Sequence, residues 1–334
     1  MTKREATPRR QAEPILAIGP GDQLSHYRID ALVAEGRASR TFRGSDLQTG
    51  NLVAIEIPDP EIEMDPVFLE RLQREDEIGK NLHHPGLIRL IEKHAGPPGE
   101  GRSYVVREWF EGTPLRELVS RGDLSIDRAI RITISICEVA EYVHTHGILY
   151  LDIEPEHVLV GSDDQVKLLH LGLTSKFGAR RLTFTKLAQV VGLSQYVSPE
   201  ELKGKRSGPS SDVYSIGVML YEMVTRRLPF DSGSIEDRWF SYPVPPREID
   251  SAISPQLQEV IYRALERNPA NRYANAHDFR RDLEHLDTVG VADRVELREW
   301  KKRRASRSKR LLLYVAMALV PIVILGLLLY FAKH

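Results

Sequence analysis

The sequence predicts an α+β chain of two lobes, a β-rich one with a single inserted helix and then a mainly helical one, followed by one C-terminal transmembrane helix. Three observations predict it. Apolar residues alternate with polar ones from 27 to about 106, helical periodicity dominates beyond Leu115, and an unbroken apolar run fills 311–331.

In the first lobe Ile29, Leu32, Thr41, Phe42, Val53 and Ile55 carry the strand signal. The exception is 68–82, where Phe68, Leu69, Leu72, Ile78 and Leu82 recur near helical spacing and charges fill the other face. In the second lobe the spacing predicts helices over 126–144, 211–226, 256–266 and 276–286. Two short apolar runs, 158–160 and 166–169, flank Gly161-Ser162-Asp163-Asp164, which predicts a hairpin.

The C-terminal run, in which only Pro321 and Gly326 weaken a helix, would span roughly 30 Å as a helix, the thickness of a bilayer core. Its alternative is a core helix, but such helices are rarely apolar on every face over this length. Lys301, Lys302, Arg303, Arg304, Arg307, Lys309 and Arg310 precede it, and only Ala332, Lys333 and His334 follow. The positive-inside rule then keeps the N-terminal bulk in the cytoplasm and leaves no receptor domain outside. Attraction to anionic lipid is the second role of the basic run, a solvated spacer its alternative.

With 46 basic and 47 acidic residues the net charge is −1, which argues against nucleic acid as a partner. The single cysteine, Cys137, excludes an internal disulfide and lies in a helix-period apolar stretch, so it reads as packing. The expected organisation is a disordered arm over 1–26, a folded domain over 27–288, a basic juxtamembrane segment over 289–310, the transmembrane helix over 311–331, and an extracytoplasmic tail over 332–334.

Five motifs fall in order on this pattern: Val53-Ala54-Ile55, Asp152-Ile153-Glu154-Pro155-Glu156-His157, Ser198-Pro199-Glu200, Asp212-Val213-Tyr214-Ser215-Ile216-Gly217 and Asn268-Pro269-Ala270-Asn271-Arg272. Together they resemble the eukaryotic-like Ser/Thr protein kinases of the bacterial membrane-anchored kind, over about 27–286. The resemblance implies a bilobal kinase fold in which Glu200 pairs with Arg272 and Asp212 begins the central helix.

It also implies where ATP and magnesium would be held, and there the sequence departs. The nucleotide-binding positions fall on Gly36, Ala54, Glu56, Glu75, Arg107 and Leu159. Of the Gly-rich loop only Gly36 remains, in Ala34-Glu35-Gly36-Arg37-Ala38-Ser39. Glu56 stands where the family has the phosphate-binding Lys, opposite the helix carboxylate expected at Glu75. Two charged carboxylates about 4 Å apart repel by roughly 4 kcal/mol at an effective dielectric near 20, so a compensating cation is needed, unless the helix swings out or one carboxyl is protonated. Arg107, at the family's gatekeeper position, is that cation if the strand register holds; shifted by one residue it points to solvent.

In the catalytic loop Asp152 is the retained residue that would orient a substrate hydroxyl. Around it Tyr150 and Leu151 replace the family's residues, Leu151 standing for the Arg that reads activation-segment phosphorylation, and Leu193 stands where a Thr is usual. His157 and the triplet His170-Leu171-Gly172 replace the Asn and Asp that bind magnesium, a hard ion that prefers oxygen. His157, His170 and Asp152 are either hydrogen-bonded space fillers or ligands for zinc.

The expected function is a membrane-tethered pseudokinase that signals by binding, with no cofactor beyond ATP held weakly or without magnesium. Its expected partners are a cytoplasmic signalling protein, such as an active kinase or phosphatase, and anionic membrane lipid. Two alternatives stand beside it: an unconventional Ser/Thr kinase in which Arg37 or Arg40 supplies the missing charge, and a metal-independent nucleotide sensor. The stretch Leu297-Arg298-Glu299-Trp300 is similar to the segment ahead of the anchor in bacterial kinases, some of which carry a phosphatase domain that is not expected here.

Overall fold

A computed structural model of the chain describes residues 18–36, 39–59, 66–94, 103–171, 174–176, 195–230, 242–294, 297, 298 and 300. The chain divides into two compact units, one comprising Met1–His83 with Ile88–Glu111, the other His84–Leu87 with Gly112–His334.

The first unit is built on an antiparallel sheet of β1 (Gln23–Leu24), β2 (Tyr27–Glu35), β3 (Ser39–Asp46), β4 (Leu52–Pro58), β5 (Leu90–His94) and β6 (Tyr104–Glu108), with spatial order β1-β2-β3-β4-β6-β5. The side-chain period of two sends Val53, Ile55 and Ile57 into a core with Tyr27, Ile29, Phe42, Tyr104 and Val106. It sends Ala54 and Glu56 to the opposite face. A Cβ on Gly44 would lie 2.5 Å from Ile55 Cδ1 and 2.7 Å from the Arg28 carbonyl oxygen, so this close strand crossing requires glycine. The Tyr27 hydroxyl donates to Glu92 at 2.8 Å, joining strands near opposite edges of the sheet; the sheet is therefore curled.

Helix α1 (Pro66–Gly79) is the inserted helix. Ile78 and the following Leu82 are buried beside Glu75, which is 7% exposed. A carboxylate on that inner face needs a partner of opposite charge.

The arm expected over 1–26 is structured from residue 18. Ile18 and Leu24 pack against the apolar core, and the Gly21 amide donates to the Ile29 carbonyl at 2.9 Å. Two apolar side chains in an otherwise polar stretch suffice to dock it.

In the second unit α2 (Leu115–Arg121) is followed by α3 (Ile126–Thr145), whose N-cap Ser125 accepts from the Arg128 amide. Its buried residues, among them Ala129, Ile132, Thr133, Ile136, Ala140 and Val143, follow the i, i+3, i+4, i+7 pattern of one helical face. Strand β7 (Thr113–Pro114) and the hairpin β8 (Val158–Val160) and β9 (Val166–Leu168) form a three-stranded sheet. The expected hairpin is thus present, with Val160 opposite Val166.

Among the described residues helices α4 (Pro199–Leu202), α5 (Pro209–Thr225), α6 (Pro246–Ile249), α7 (Pro255–Ala264) and α8 (Ala276–Glu284) follow. Helix α5 is buried from Ser211 to Thr225, as a helix apolar on most faces must be. A Cβ on its Gly217 would sit 2.7 Å from the Ala264 Cβ, which fixes the close approach of α5 and α7. Arg272 clasps Glu200 with two bonds, at 2.8 and 3.1 Å.

Beyond α8, Arg294 reaches back to Glu259 and Glu266, so the stretch expected to begin a juxtamembrane segment at 289 is still docked on the helical unit at 294. Among the described residues no helix is long and apolar enough to cross a membrane. The span expected over 311–331, the basic run from 301 and the tail 332–334 lie outside them.

Candidate functional site

Two groups of side chains, one in each unit, contain most of the expected site residues. In the first unit β4 and β6 pair so that Ala54 faces Arg107 and Glu56 faces Val105. Glu56 and Arg107 are therefore diagonal neighbours on one face of the sheet, a spacing that long side chains bridge. Arg107 Nη1 donates to Glu56 at 2.5 Å, Nε donates to Glu75 at 3.1 Å, and Nη2 donates to both Glu75 oxygens at 2.9 and 3.0 Å. The Ser39 hydroxyl donates to the other Glu56 oxygen at 2.8 Å, so β3, β4, β6 and α1 are linked through one cation.

Only 6% of Arg107 is exposed. Burial opposes its charge, yet the Glu75 and Glu56 carboxylates outweigh that opposition and hold its pKa above the ordinary arginine value. The guanidinium fork suits this task, because its donors leave in two directions within one plane. Gly36, the remaining glycine of the expected phosphate loop, donates its amide to the Ser39 carbonyl at 2.8 Å. Arg40 lies over the Phe42 ring and donates to the Ile18 carbonyl, while Arg37 lies outside the described residues.

The second group lies on the loop after α3. Asp212, the first-turn acid of α5, accepts the backbone amides of Tyr150 and Leu151, both at 2.8 Å, and lies 2.8 Å from His144 Nε2. Those bonds hold Leu151 at φ 64°, a left-handed conformation that costs a side chain with a Cβ about 1–2 kcal/mol. His170 is left-handed as well, at φ 58°. The Tyr150 hydroxyl donates to the Leu169 carbonyl and the Leu169 amide donates to the His157 carbonyl at 2.8 Å, which ties the two segments together.

The loop after Asp152 makes a short 3₁₀ turn over Pro155–His157. It turns His157 back so that Nδ1 lies 3.1 Å from the Asp152 carbonyl and 3.4 Å from its carboxylate, with Nε2 3.6 Å from Glu154. His157 and His170 meet edge to face, with ring centroids 5.0 Å apart. Leu159 is half-buried in β8 and Leu171 is buried, while Gly172 and Leu193 lie outside the described residues.

At the two positions where the resemblance would put magnesium ligands the donors are thus imidazoles, and they do not fit an ion that holds oxygen at about 2.0–2.1 Å and keeps its waters.

The sequence reading missed a polar network beside this loop. Arg116 of α2 donates to Glu156 at 2.7 Å, to Glu222 at 2.7 Å and to the Tyr196 hydroxyl, which itself donates to Glu222. Burial raises the Tyr196 pKa above its usual value and the Glu222 carboxylate raises it further. Glu154 was also missed, although its place three residues before His157 on a turn was a usable signal.

Comparison with protein-family models matches the protein kinase domain over residues 27–282. Among curated proteins the chain is 31% identical over 270 residues to the serine/threonine-protein kinase PknB of Mycolicibacterium smegmatis, covering 79% of this chain and 43% of that protein. It is 31% identical over 269 residues to a probable serine/threonine-protein kinase of Streptomyces coelicolor, covering 77% of this chain and 39% of the relative. The chain thus spans about two fifths of the length of these relatives. The PknI kinase domain of Mycobacterium tuberculosis has the same fold, with a TM-score of 0.64 at 18% identity over 81% of this chain and 100% of that one. On the family match over most of its length, the chain belongs to the protein kinase domain family, with bacterial serine/threonine kinases among its relatives.

Proposed function

We propose that the chain is a membrane-tethered pseudokinase, a kinase-family protein that acts by binding a cytoplasmic signalling protein rather than by transferring phosphate. The observation that carries this reading is the bond set from Arg107 to Glu56 and Glu75. An active relative needs a cation on β4 to meet phosphate oxygens. Here β4 offers a carboxylate, and the cation nearest to it is spent on holding α1. Imidazoles at His157 and His170 add to this, because magnesium-bound triphosphate then lacks its oxygen ligands.

Binding of a partner fits a unit whose α1 is fixed from within, without help from nucleotide. The partner is an active kinase or phosphatase in the same pathway. Anchoring by 311–331 and attraction of the basic residues to anionic lipid place the encounter at the inner membrane surface.

Asp152 is the one observation that favours catalysis, since its loop keeps a fixed backbone through Asp212. Thermal melting of the purified chain with ATP, alone and with magnesium or manganese, together with radiolabelled phosphate transfer to a generic protein substrate, tests the reading. No melting shift and no label are expected. Label transfer that disappears in Asp152→Ala overturns it, and a shift with ATP alone points to a nucleotide sensor.

A further inference from the structure

On the helical unit Arg128, Arg131, Arg263, Arg280 and Arg281 each face a carboxylate. The turn after α4 differs. It carries Lys203, Lys205 and Arg206, all exposed, and no acidic residue occurs from Leu202 to Ser211. The acids just before it are engaged elsewhere, Glu200 by Arg272 and Glu201 by the Ser198 amide at 3.0 Å. Among the described residues Lys205 and Arg206 have no ion-pair partner. The turn itself is fixed: Gly204 takes φ 63°, its amide donates to the Glu201 carbonyl and the Lys205 amide donates to the Glu200 carbonyl, both at 2.9 Å. A set backbone thus presents three like charges within four residues, and an external anion relieves their repulsion.

The place of the turn in the unit says which anion. Arg294, where the stretch after α8 docks, donates to the Glu266 carboxylate at 2.7 Å. The Glu266 carbonyl accepts from Arg272 at 2.8 and 3.0 Å, Arg272 holds Glu200, and the Glu200 carbonyl holds Lys205. Turn and docking point are therefore linked through one short chain of bonds. From Arg294 the chain reaches Lys301 in seven residues, no more than about 25 Å even when fully extended, and the apolar run begins ten residues later.

We propose that Lys203, Lys205 and Arg206 form a second contact for anionic lipid headgroups, made by the folded unit itself. This rests on the reading that 311–331 is anchored in a bilayer, which holds the turn near the membrane surface. The basic run contacts lipid on the tether, whereas this turn contacts it on the helical unit, so the two together set how that unit is tilted. Each cation near an anionic surface strengthens binding by about fivefold, and the attraction fades beyond about 8 Å at physiological salt. An acidic protein segment is the rival occupant. Tethering favours lipid, because the bilayer is always at high local concentration.

The test places the full chain in nanodiscs of phosphatidylcholine, alone or with about 30% phosphatidylglycerol, and follows amide hydrogen exchange over 202–208. Exchange there should be about fivefold or more slower in the anionic discs, with α3 alike in both. The difference should vanish near 1 M salt, where the Debye length is about 3 Å. Lys205→Ser combined with Arg206→Ser should erase it and keep the melting temperature, since neither side chain holds an ion pair. The wild-type comparison decides by itself if that variant does not fold. Equal exchange in the two discs, a slowing that the double variant retains, or one that extends equally to α3 overturns the contact. Equal protection in phosphatidylcholine discs by inorganic phosphate or by a poly-glutamate peptide overturns the assignment to lipid.

Flotation with phosphatidylcholine vesicles alone reports the anchor separately. If the chain does not float with them the anchoring reading fails, and flotation with phosphatidylglycerol vesicles then tests the turn. Capture that the double variant loses supports the contact; capture that it keeps, or no capture of the wild type, overturns it.

Discussion

Arg107 binds Glu75 with three hydrogen bonds, one from Nε and two from Nη2, while its remaining nitrogen holds Glu56. In this family α1 is positioned by an ion pair to β4. Here the carboxylate on α1 is kept, the β4 residue has the same charge as it, and the cation comes from β6. The link between sheet and helix has thus been rebuilt with its polarity supplied from the neighbouring strand.

Removing the cation should be far worse than removing the whole cluster. Arg107→Met leaves two largely buried carboxylates with no counter-charge, a change that costs about 3–5 kcal/mol. The triple variant with Glu56→Met and Glu75→Met should recover most of that loss, because apolar replacements of similar volume remove the buried charges themselves. Urea unfolding of the three forms checks this; equal losses in the single and triple variants would count against an electrostatic role.

Restoring the family's charge at β4 is expected to fail alone. Glu56→Lys sets an ammonium against Arg107 and should melt below the wild type. Adding Arg107→Met lets the new ammonium pair with Glu75, so the double variant should melt above Arg107→Met by itself. Neither form should transfer labelled phosphate, since His157 and His170 are unchanged.

Much of this cluster was legible in the sequence because it depends on strand register. The resemblance puts Glu56 at the lysine position, Arg107 at the gatekeeper position and Glu75 on the inserted helix by its distance from His84-Pro85, and a period of two sets Glu56 and Arg107 on one face once β4 and β6 are paired. Helix starts were less legible. The expected helices at 211 and 256 begin at Pro209 and Pro255, because proline at the first helical position leaves no amide unsatisfied and extends the helix back past where the apolar pattern begins. The network of Arg116, Glu156, Tyr196 and Glu222 was out of reach, since its partners lie 26 to 106 residues apart and no local period joins them.

Tyr150 supports a strained loop through its hydroxyl. Tyr150→Phe removes the donor to the Leu169 carbonyl while leaving the ring in place, at an expected cost of about 1–3 kcal/mol. Because His170 follows at φ 58°, loosening should concentrate there. Hydrogen exchange should speed up across 168–171 in the variant, and unchanged exchange would remove Tyr150 from this role.

The Glu200 and Arg272 pair predicts an acid limit to stability. Burial alone would raise the Glu200 pKa, but bonds from Arg272 and Ser211 bring it below the usual value of 4.5. The folded state therefore binds this proton less readily than the unfolded one, and stability rises with pH through the acid range. The contribution should be fully present above about pH 5 and lost as pH falls through the lowered folded pKa. Arg272→Ala should cost about 3–5 kcal/mol at neutral pH and flatten the acid slope of urea midpoints measured from pH 3 to 6.

Arg294 docks the stretch after α8 on the helical unit. Its Nε and Nη2 each donate to Glu259 at 2.8 Å and Nη1 donates to Glu266 at 2.7 Å, with the guanidinium 5.7 Å from the centre of the Tyr262 ring. Burial disfavours the charge, yet the two carboxylates of α7 and the residues after it raise the Arg294 pKa. Charge-assisted bonds of this kind are worth about 1.5–3 kcal/mol, so Arg294→Ala should raise hydrogen exchange over 289–294 by roughly tenfold to a hundredfold. Exchange within α5 should not change, since the opening is local. A uniform rise in both places would mean that the clamp stabilises the whole unit, and an unchanged rate over 289–294 would mean that it holds nothing.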